Sequence, residues 1–249
     1  MPPSAFSKVP EVTLIFWLVK IAATTLGETG GDAVSMSMGL GYLAGTAIFA
    51  AVFVAAAAAQ IRTRVFHPAL YWLTIIATTT VGTTMADFAD RSLGIGYAGG
   101  SALLLALLLA SFALWHKALG TVSAESVTTA KAETFYWVTI MFSQTLGTAL
   151  GDWMADDADL GYAGSIGVFG GALAAIAALR YLTSASRTGL FWAAFVLTRP
   201  LGAVLGDFCD KPVQEGGLEM DRFLASGLLA AFIVACLLAF RRKPAAKLH

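Results

Sequence analysis

The sequence predicts an all-α polytopic membrane protein. Eight transmembrane helices would come from four parallel two-helix repeats, pseudo-symmetric about the membrane normal. Two observations predict this. The 249 residues are 57% hydrophobic and 13% charged, with a mean hydropathy of +0.74, which is far from the composition of a water-soluble domain of this length. One unit also occurs four times, as Trp17-Gly27-Asp32, Trp72-Gly82-Asp87, Trp137-Gly147-Asp152 and Trp192-Gly202-Asp207. Each Trp precedes its Gly by ten positions and each Gly precedes its Asp by five. The Trp positions are 55, 65 and 55 residues apart, so the unit was doubled and then doubled again. This divides a single membrane domain into halves, 1–120 with repeats 1 and 2, and 121–249 with repeats 3 and 4.

Apolar stretches of about 20 residues, the length that crosses a bilayer core, mark the spans. The first, 12–31, holds Lys20 and Glu28, so it is a span rather than a cleaved signal peptide, whose apolar core would carry no such charges. The second, 40–59, starts at Gly41-Tyr42 and runs toward Arg62 and Arg64. The third, 69–88, repeats the first with Trp72 and Asp87, and the fourth, 97–116, starts at Gly96-Tyr97 and reaches His116 and Lys117. The fifth, 134–153, and the sixth, 161–180, repeat this pair with Trp137, Asp152, Gly161-Tyr162 and Arg180. The seventh, 190–207, carries Trp192 and Asp207. The loop before the eighth, 223–240, departs from the pattern with Gly216-Gly217-Leu218 and the acids Glu215, Glu219 and Asp221.

An even number of spans per repeat puts all four copies in one orientation. Each Asp directly follows a small-xxx-small pair: Gly27/Gly31, Gly82/Ala86, Gly147/Gly151 and Gly202/Gly206. Such pairs let helix backbones approach closely in lipid, so the odd-numbered spans are expected to form a shared inner bundle. Fifteen residues at 1.5 Å each put the Asp about 22 Å from its Trp. With the four Trp near the cytoplasmic interface, the four Asp fall in the outer leaflet together.

Eleven of the sixteen Lys and Arg residues lie at the termini or between repeats: Lys8, Arg62, Arg64, Lys117, Lys131, Arg180, Arg187, Arg241, Arg242, Lys243 and Lys247. The positive-inside rule then makes both termini cytoplasmic in a multi-pass protein of a bacterial inner membrane. Of the acids, only Glu11, Glu125 and Glu133 fall on that side. The scattered basic residues act as topology determinants rather than a nucleic-acid surface. Cys209 and Cys236 are too few for a disulfide framework or a structural zinc site. His67 and His116 sit at span ends and His249 is terminal, which excludes heme or histidine-rich metal ligation. No nucleophile motif, phosphate loop or dinucleotide fingerprint occurs, so the chain is not expected to be an enzyme or to hold a tight cofactor.

On its four Trp-Gly-Asp units the chain resembles a bacterial family of integral membrane proteins built from four tandem two-helix repeats, each with a characteristic Trp. The resemblance covers nearly the whole chain and implies fold and topology. It supplies no substrate or site residue, which must come from the side chains.

Ionisable groups at membrane depth are costly and mark function or pairing. Asp32, Asp87, Asp152 and Asp207 are the candidate metal ligands, with Glu28, Thr79 and Gln144 as further substrate-binding positions. Lys20 stands where the other copies have Ile75, Ile140 and Phe195, and Arg199 where they have Thr24, Thr79 and Gln144. These two cations are expected to neutralise part of the acidic cluster, as salt bridges or as counter-charges that compete with a transported cation. Oxygen donors Thr24, Thr25, Thr80, Thr83, Ser143, Thr145, Thr148 and Thr198 surround the acids, while Met85, Met154 and Cys209 lie within two positions of an Asp. Carboxylate and hydroxyl oxygens suit Mg, Ca or Mn, and nearby sulfur tilts the choice to manganese.

The expectation is therefore a secondary transporter or exporter of a divalent metal cation, manganese first, coupled to protons that exchange with metal on the carboxylates. One half would rock against the other, and the same sequence also fits a channel. Lipid bilayer, metal ion and proton are the expected partners, and the oligomeric state stays open, a homo-oligomer included. Two alternatives use the same residues differently. In one, a non-transporting scaffold or sensor, the Asp residues only cap helices. In the other, a transporter of a small organic cation, they act together with the aromatic side chains.

Overall fold

The computed structural model describes residues 7–63, 65–240 and 245. Arg64, Arg241, Arg242, Lys243, Lys247 and His249 lie outside the described residues. A helix stands at each of the eight apolar stretches: α1 Leu14–Asp32, α2 Gly41–Arg62, α3 Pro68–Asp87, α4 Tyr97–Leu119, α5 Ala130–Asp152, α6 Gly161–Leu182, α7 Arg187–Asp210 and α8 Arg222–Ala239. Among the described residues there is no strand.

Local chemistry sets the starts of these helices. Thr13, Thr129, Ser186 and Asp221 accept from backbone N–H groups in the first turns of α1, α5, α7 and α8, and Pro68 opens α3 where its missing N–H costs nothing. The turns into α2, α4 and α6 share one shape. Gly39 and Gly41, Gly94 and Gly96, and Asp159 and Gly161 all take positive φ, the left-handed region that favours glycine. This explains the Gly before each Tyr in three of the four repeats.

Five helices, α2, α4, α6, α7 and α8, are long and apolar enough to cross a membrane. The other three, α1, α3 and α5, are just as long but rich in buried Thr, Gly and acidic residues. Packing gives the reason. The helices α1, α3, α5 and α7 close a ring, each against two neighbours: α1 on α3, α3 on α5, α5 on α7 and α7 on α1. Outside the ring each even helix lies on the inner helix of the next repeat, α2 on α3, α4 on α5, α6 on α7 and α8 on α1. The outer helices turn Leu, Val and Phe outward, as at Leu43, Leu103, Leu109, Val168, Phe223 and Leu238. They shield the polar inner four, whose composition answers to the ring and not to lipid.

Glycine brings the inner helices into contact. A Cβ at Gly27 would fall on Thr79 of α3, one at Gly147 on Arg199 of α7, and one at Gly202 on Thr24 of α1. At Gly82 it would sit 2.9 Å from the Gln144 carbonyl carbon of α5. Each first glycine of a small-xxx-small pair therefore receives one position of the following repeat: 24, 79, 144 or 199. The second row repeats the scheme one turn on, with Gly31 against Thr83, Gly151 against Ala203 and Gly206 against Glu28.

The two ends of the ring differ. At one end Phe16, Tyr71, Trp72, Trp115, Tyr136, Trp137, Trp192 and Phe195 form the main apolar cluster. Tyr71 and Tyr136 share a hydrogen bond of 2.6 Å. Three of the four repeat Trp residues are packed inside the protein there. Trp72, Trp137 and Trp192 are 1%, 3% and 5% exposed and pack edge-on or tilted against neighbouring rings; only Trp17 is part-exposed. The reason is that ring closure turns this face inward. The segment before α1 seals the same end: the Lys8 ammonium meets Glu133 at 2.6 Å and donates to the Gln60 and Ile61 carbonyls, and Val9 is buried.

At the other end α1, α3 and α5 pass straight from Asp32, Asp87 and Asp152 into π-helical turns, Ala33–Ser37, Phe88–Ser92 and Trp153–Asp157. Such turns are uncommon and often lie at functional sites. Helix α7 instead continues to Asp210 and stops at Lys211-Pro212.

Candidate functional site

Because the inner helices are in register, their repeat-equivalent residues form layers toward the ring centre. From the aromatic end these are Lys20/Ile75/Ile140/Phe195, then Thr24/Thr79/Gln144/Arg199, then Glu28/Thr83/Thr148/Ala203, then Asp32/Asp87/Asp152/Asp207. All sixteen residues of these four layers are buried. One turn further come Met36, Arg91, Asp156 and Lys211.

The acidic layer brings some of its carboxylates together, while Asp152 joins neither group of clustered oxygens among the described residues. Oxygens of Glu28, Asp32 and Asp87 lie within 4.8 Å of one another, and so do those of Asp32, Asp207 and Asp210. Three cations stand among them. The Lys211 ammonium bridges Asp32 at 2.7 Å and Asp207 at 3.1 Å. Arg91 holds Asp87 at 3.0 Å from the following turn. Arg222 pairs with Asp210 at 2.7 Å and reaches Asp32 at 3.8 Å. Asp152 has neither an ion pair nor a side-chain hydrogen bond among the described residues, although it is 3% exposed. Asp210 is 8% exposed, and its Oδ1 has no partner. Burial works against the charge on Lys211, but Asp207, Asp32 and Asp210 outweigh it and hold the ammonium above its ordinary pKa.

Of the two cations singled out in the sequence, Arg199 pairs with one acid of the cluster, Glu28, and Lys20 pairs with none. Arg199 does not reach the Asp layer. Its Nη2 donates to Glu28 Oε2 at 2.9 Å, to Thr83 Oγ1 at 2.6 Å and to Thr148 Oγ1 at 2.5 Å, with the Thr79 carbonyl at 3.5 Å. One guanidinium nitrogen from α7 thus ties α1, α3 and α5 together. Lys20 pairs with no carboxylate among the described residues; its ammonium meets Thr198 Oγ1 at 3.4 Å and lies 4.2 Å over the Phe195 ring. Both sit one or more helical turns too far from the Asp layer to neutralise it.

Arg91, Lys211 and Arg222 are the cations that sequence reasoning passed over. A signal was present: once the eleven bases at the termini and between repeats are set aside, only Lys20, Arg91, Arg199, Lys211 and Arg222 remain, and all five lie in the ring layers or at their acidic mouth.

Other candidates divide. Thr25, Thr80 and Thr145 donate to carbonyls of their own helices. Thr24 does so as well and also donates to the Thr198 carbonyl of the neighbouring α7. Thr79 Oγ1, Ser143 Oγ and both amide atoms of Gln144 are buried without partners. No cysteine joins the clustered carboxylates among the described residues. Cys209 lines a lateral pocket with Met220, Leu228 and Phe232, Met154 packs with Tyr162 and Phe169, and Met85 is part-exposed. The donor set at the acidic layer is therefore all oxygen.

Four stretches of the chain, 15–66, 70–121, 135–186 and 190–244, match the family described as Repeat of Unknown Function (DUF347). No curated protein and no solved structure matches the chain.

Proposed function

The chain therefore belongs to this repeat family, and from that premise we propose that it is a proton-coupled secondary transporter of a divalent metal cation. In this reading all eight helices cross the membrane, related by pseudo-symmetry about its normal, and Asp32, Asp87, Asp152 and Asp207 form the cation site. One observation carries it: four inner helices each contribute a buried carboxylate to one layer, and Asp152 among them has no cation of its own. Buried like charges at such separations are stable only when neutralised. A divalent cation, protons and the tethered Lys211 ammonium are three ways of doing so.

Transport then becomes an exchange among these three. A metal ion entering from the acidic mouth displaces Lys211 from Asp32 and Asp207 and takes carboxylate oxygens as ligands. Protons replace it on release, because metal binding requires the deprotonated ligands. The aromatic end and the Lys8 strap close the opposite side, so passage requires the inner helices to move, most simply one half of the chain against the other. An all-oxygen donor set favours a hard cation. The carboxylate groups contain no cysteine, and manganese shares their oxygen donors with magnesium and calcium.

A second reading is favoured by the ion pairs. If Lys211, Arg91 and Arg222 are permanent partners, the acidic layer is a structural clasp in a non-transporting scaffold. Thermal shift of the purified protein with Mn, Mg, Ca, Co, Ni and Zn separates the two, since a ligand of the native state raises apparent stability. The transporter gives a saturable shift with one or two metals, lost in the Asp87→Asn/Asp207→Asn double variant together with flux in proteoliposomes. No shift with any metal leaves the clasp.

A further inference from the structure

In the layer of Thr24, Thr79, Gln144 and Arg199 the unpaired donors outnumber the unpaired acceptors among the described residues: Arg199 Nε and Nη1 and the Gln144 amide nitrogen stand against Gln144 Oε1 and the Thr79 hydroxyl. Arg199 is 0% exposed, and every protein acceptor it has meets Nη2. Its Nε and Nη1, which carry three of the five guanidinium N–H groups, have no partner. Gln144, also 0% exposed, has neither amide atom paired. On the adjoining α1, the fully buried Lys20 has Thr198 Oγ1 as its one hydrogen-bond partner. Glu28 is the sole carboxylate in these inner layers, and its Oε2 already receives Arg199 and Thr83. Two basic side chains and a free amide N–H thus stand in adjoining layers whose one carboxylate is already engaged. In the Asp layer Asp32, Asp87 and Asp207 have cations of their own; Asp152 has none, but no ion pair joins it to Lys20 or Arg199 among the described residues.

We propose that this inner layer binds a small monovalent anion, either an inorganic ion such as chloride or the carboxylate of a small organic acid. Arg199 Nε and Nη1, the Lys20 ammonium and the Gln144 amide N–H would hold it. The site is separate from the acidic layer, with Glu28, Thr83 and Thr148 between them. Arg199 has Glu28 as its counter-charge, whereas a buried ammonium without one is unfavourable, and an anion here supplies that charge together with further acceptors. The repeat pattern fits such a role. Three copies place neutral side chains at the position of Arg199 and three place apolar ones at that of Lys20, so the positive centre is an addition to the shared ring and not a requirement of it.

The test uses the full chain, purified in detergent at constant ionic strength. Bulky gluconate is exchanged for chloride, bromide, nitrate, formate or acetate, and the apparent melting temperature is followed. Two variants borrow residues from sister repeats so that packing is kept: Lys20→Ile, as at Ile75 and Ile140, and Gln144→Thr, as at Thr24 and Thr79. The wild type is expected to show a saturable rise with at least one small anion, and the half-saturating concentration should increase about tenfold in each variant, a difference readily resolved. A response to halide alone identifies an inorganic ion; a stronger response to formate or acetate identifies a carboxylate. Equal melting temperatures in gluconate and in every small anion overturn the proposal, as does an unchanged half-saturation in both variants. Metal dependence is read separately, so the cation site can fail while this one stands.

Discussion

The aromatic end and the acidic end of the ring are made by the same four helices, yet they are held by opposite kinds of contact. At the aromatic end Trp72, Trp137 and Trp192 lie against Tyr71, Tyr136 and Phe195 with ring centroids 5.1 to 5.7 Å apart, and the segment carrying Lys8 and Val9 packs over them. Apolar contacts of this kind are indifferent to small ions and break only when the helices separate. At the acidic end Lys211, Arg91 and Arg222 hold the carboxylates, and any one of those contacts can be replaced by another cation without moving a backbone. The difference teaches where exchange is cheap: one end is suited to permanent closure and the other to competition.

What both ends share is the glycine register between them, and breaking it has the largest expected effect. Gly202→Leu would drive a side chain into Thr24 and force α7 from α1. The expected outcome is loss of a monodisperse species in size-exclusion chromatography. Gly167→Leu, on the outer helix α6 with open space around it, should leave the profile unchanged.

Replacing the tethered cation tests the exchange end alone. Lys211→Gln removes a competitor for Asp32 and Asp207, so metal half-saturation in the thermal-shift series should fall about tenfold, or about 1.4 kcal/mol. The same pair of proteins reports a pH dependence. The folded state holds Lys211 above its ordinary value of 10.5, so its contribution is fully present below that value and is lost as pH rises through the higher folded one. The stability difference between wild type and Lys211→Gln should therefore be flat from pH 8 to pH 10 and shrink at more alkaline pH. A difference that shrinks between pH 8 and pH 10 would show that the ion pairs at this end are not what holds Lys211.

The smallest effect belongs to the closed end. Tyr71→Phe leaves the buried Tyr136 hydroxyl without its 2.6 Å partner and should cost about 1 kcal/mol in denaturant-melt stability, with no change in metal response. A change in metal half-saturation would mean that the two ends are coupled.

The sequence made the helices and the inner ring legible because both follow from one-dimensional signals. Apolar length marks the spans, and glycines four apart mark close contact, as Gly27/Gly31 and Gly147/Gly151 show. It also put the four Asp in one layer. Partners were less readable. Arg199 spans the ring to Glu28 because the glycine opposite, Gly147, admits its stem, a contact between residues 171 apart that no local pattern encodes. The role of Lys211 rests on α7 lacking the π-turn found at the other three Asp residues. The burial of three of the Trp residues was not readable, because a tryptophan ten residues from a glycine reads equally as a lipid-facing residue or as the seal of a bundle, and only ring closure decides between them.

The outer helices hold one further consequence. Since α2 lies on α3, α4 on α5, α6 on α7 and α8 back on α1, each repeat covers its successor and leaves its own inner helix to be covered by its predecessor. The last covers the first, and there the Ala245 N–H donates to the Val9 carbonyl at 2.9 Å. The architecture is a closed circuit with no terminal repeat, so it needs none of the polar capping units that finish an open solenoid. A half of two repeats would end with one uncovered inner helix and one idle outer helix. Two such halves meeting about a twofold axis would complete each other, which makes a homodimer of the half-length unit the natural forerunner of the present chain.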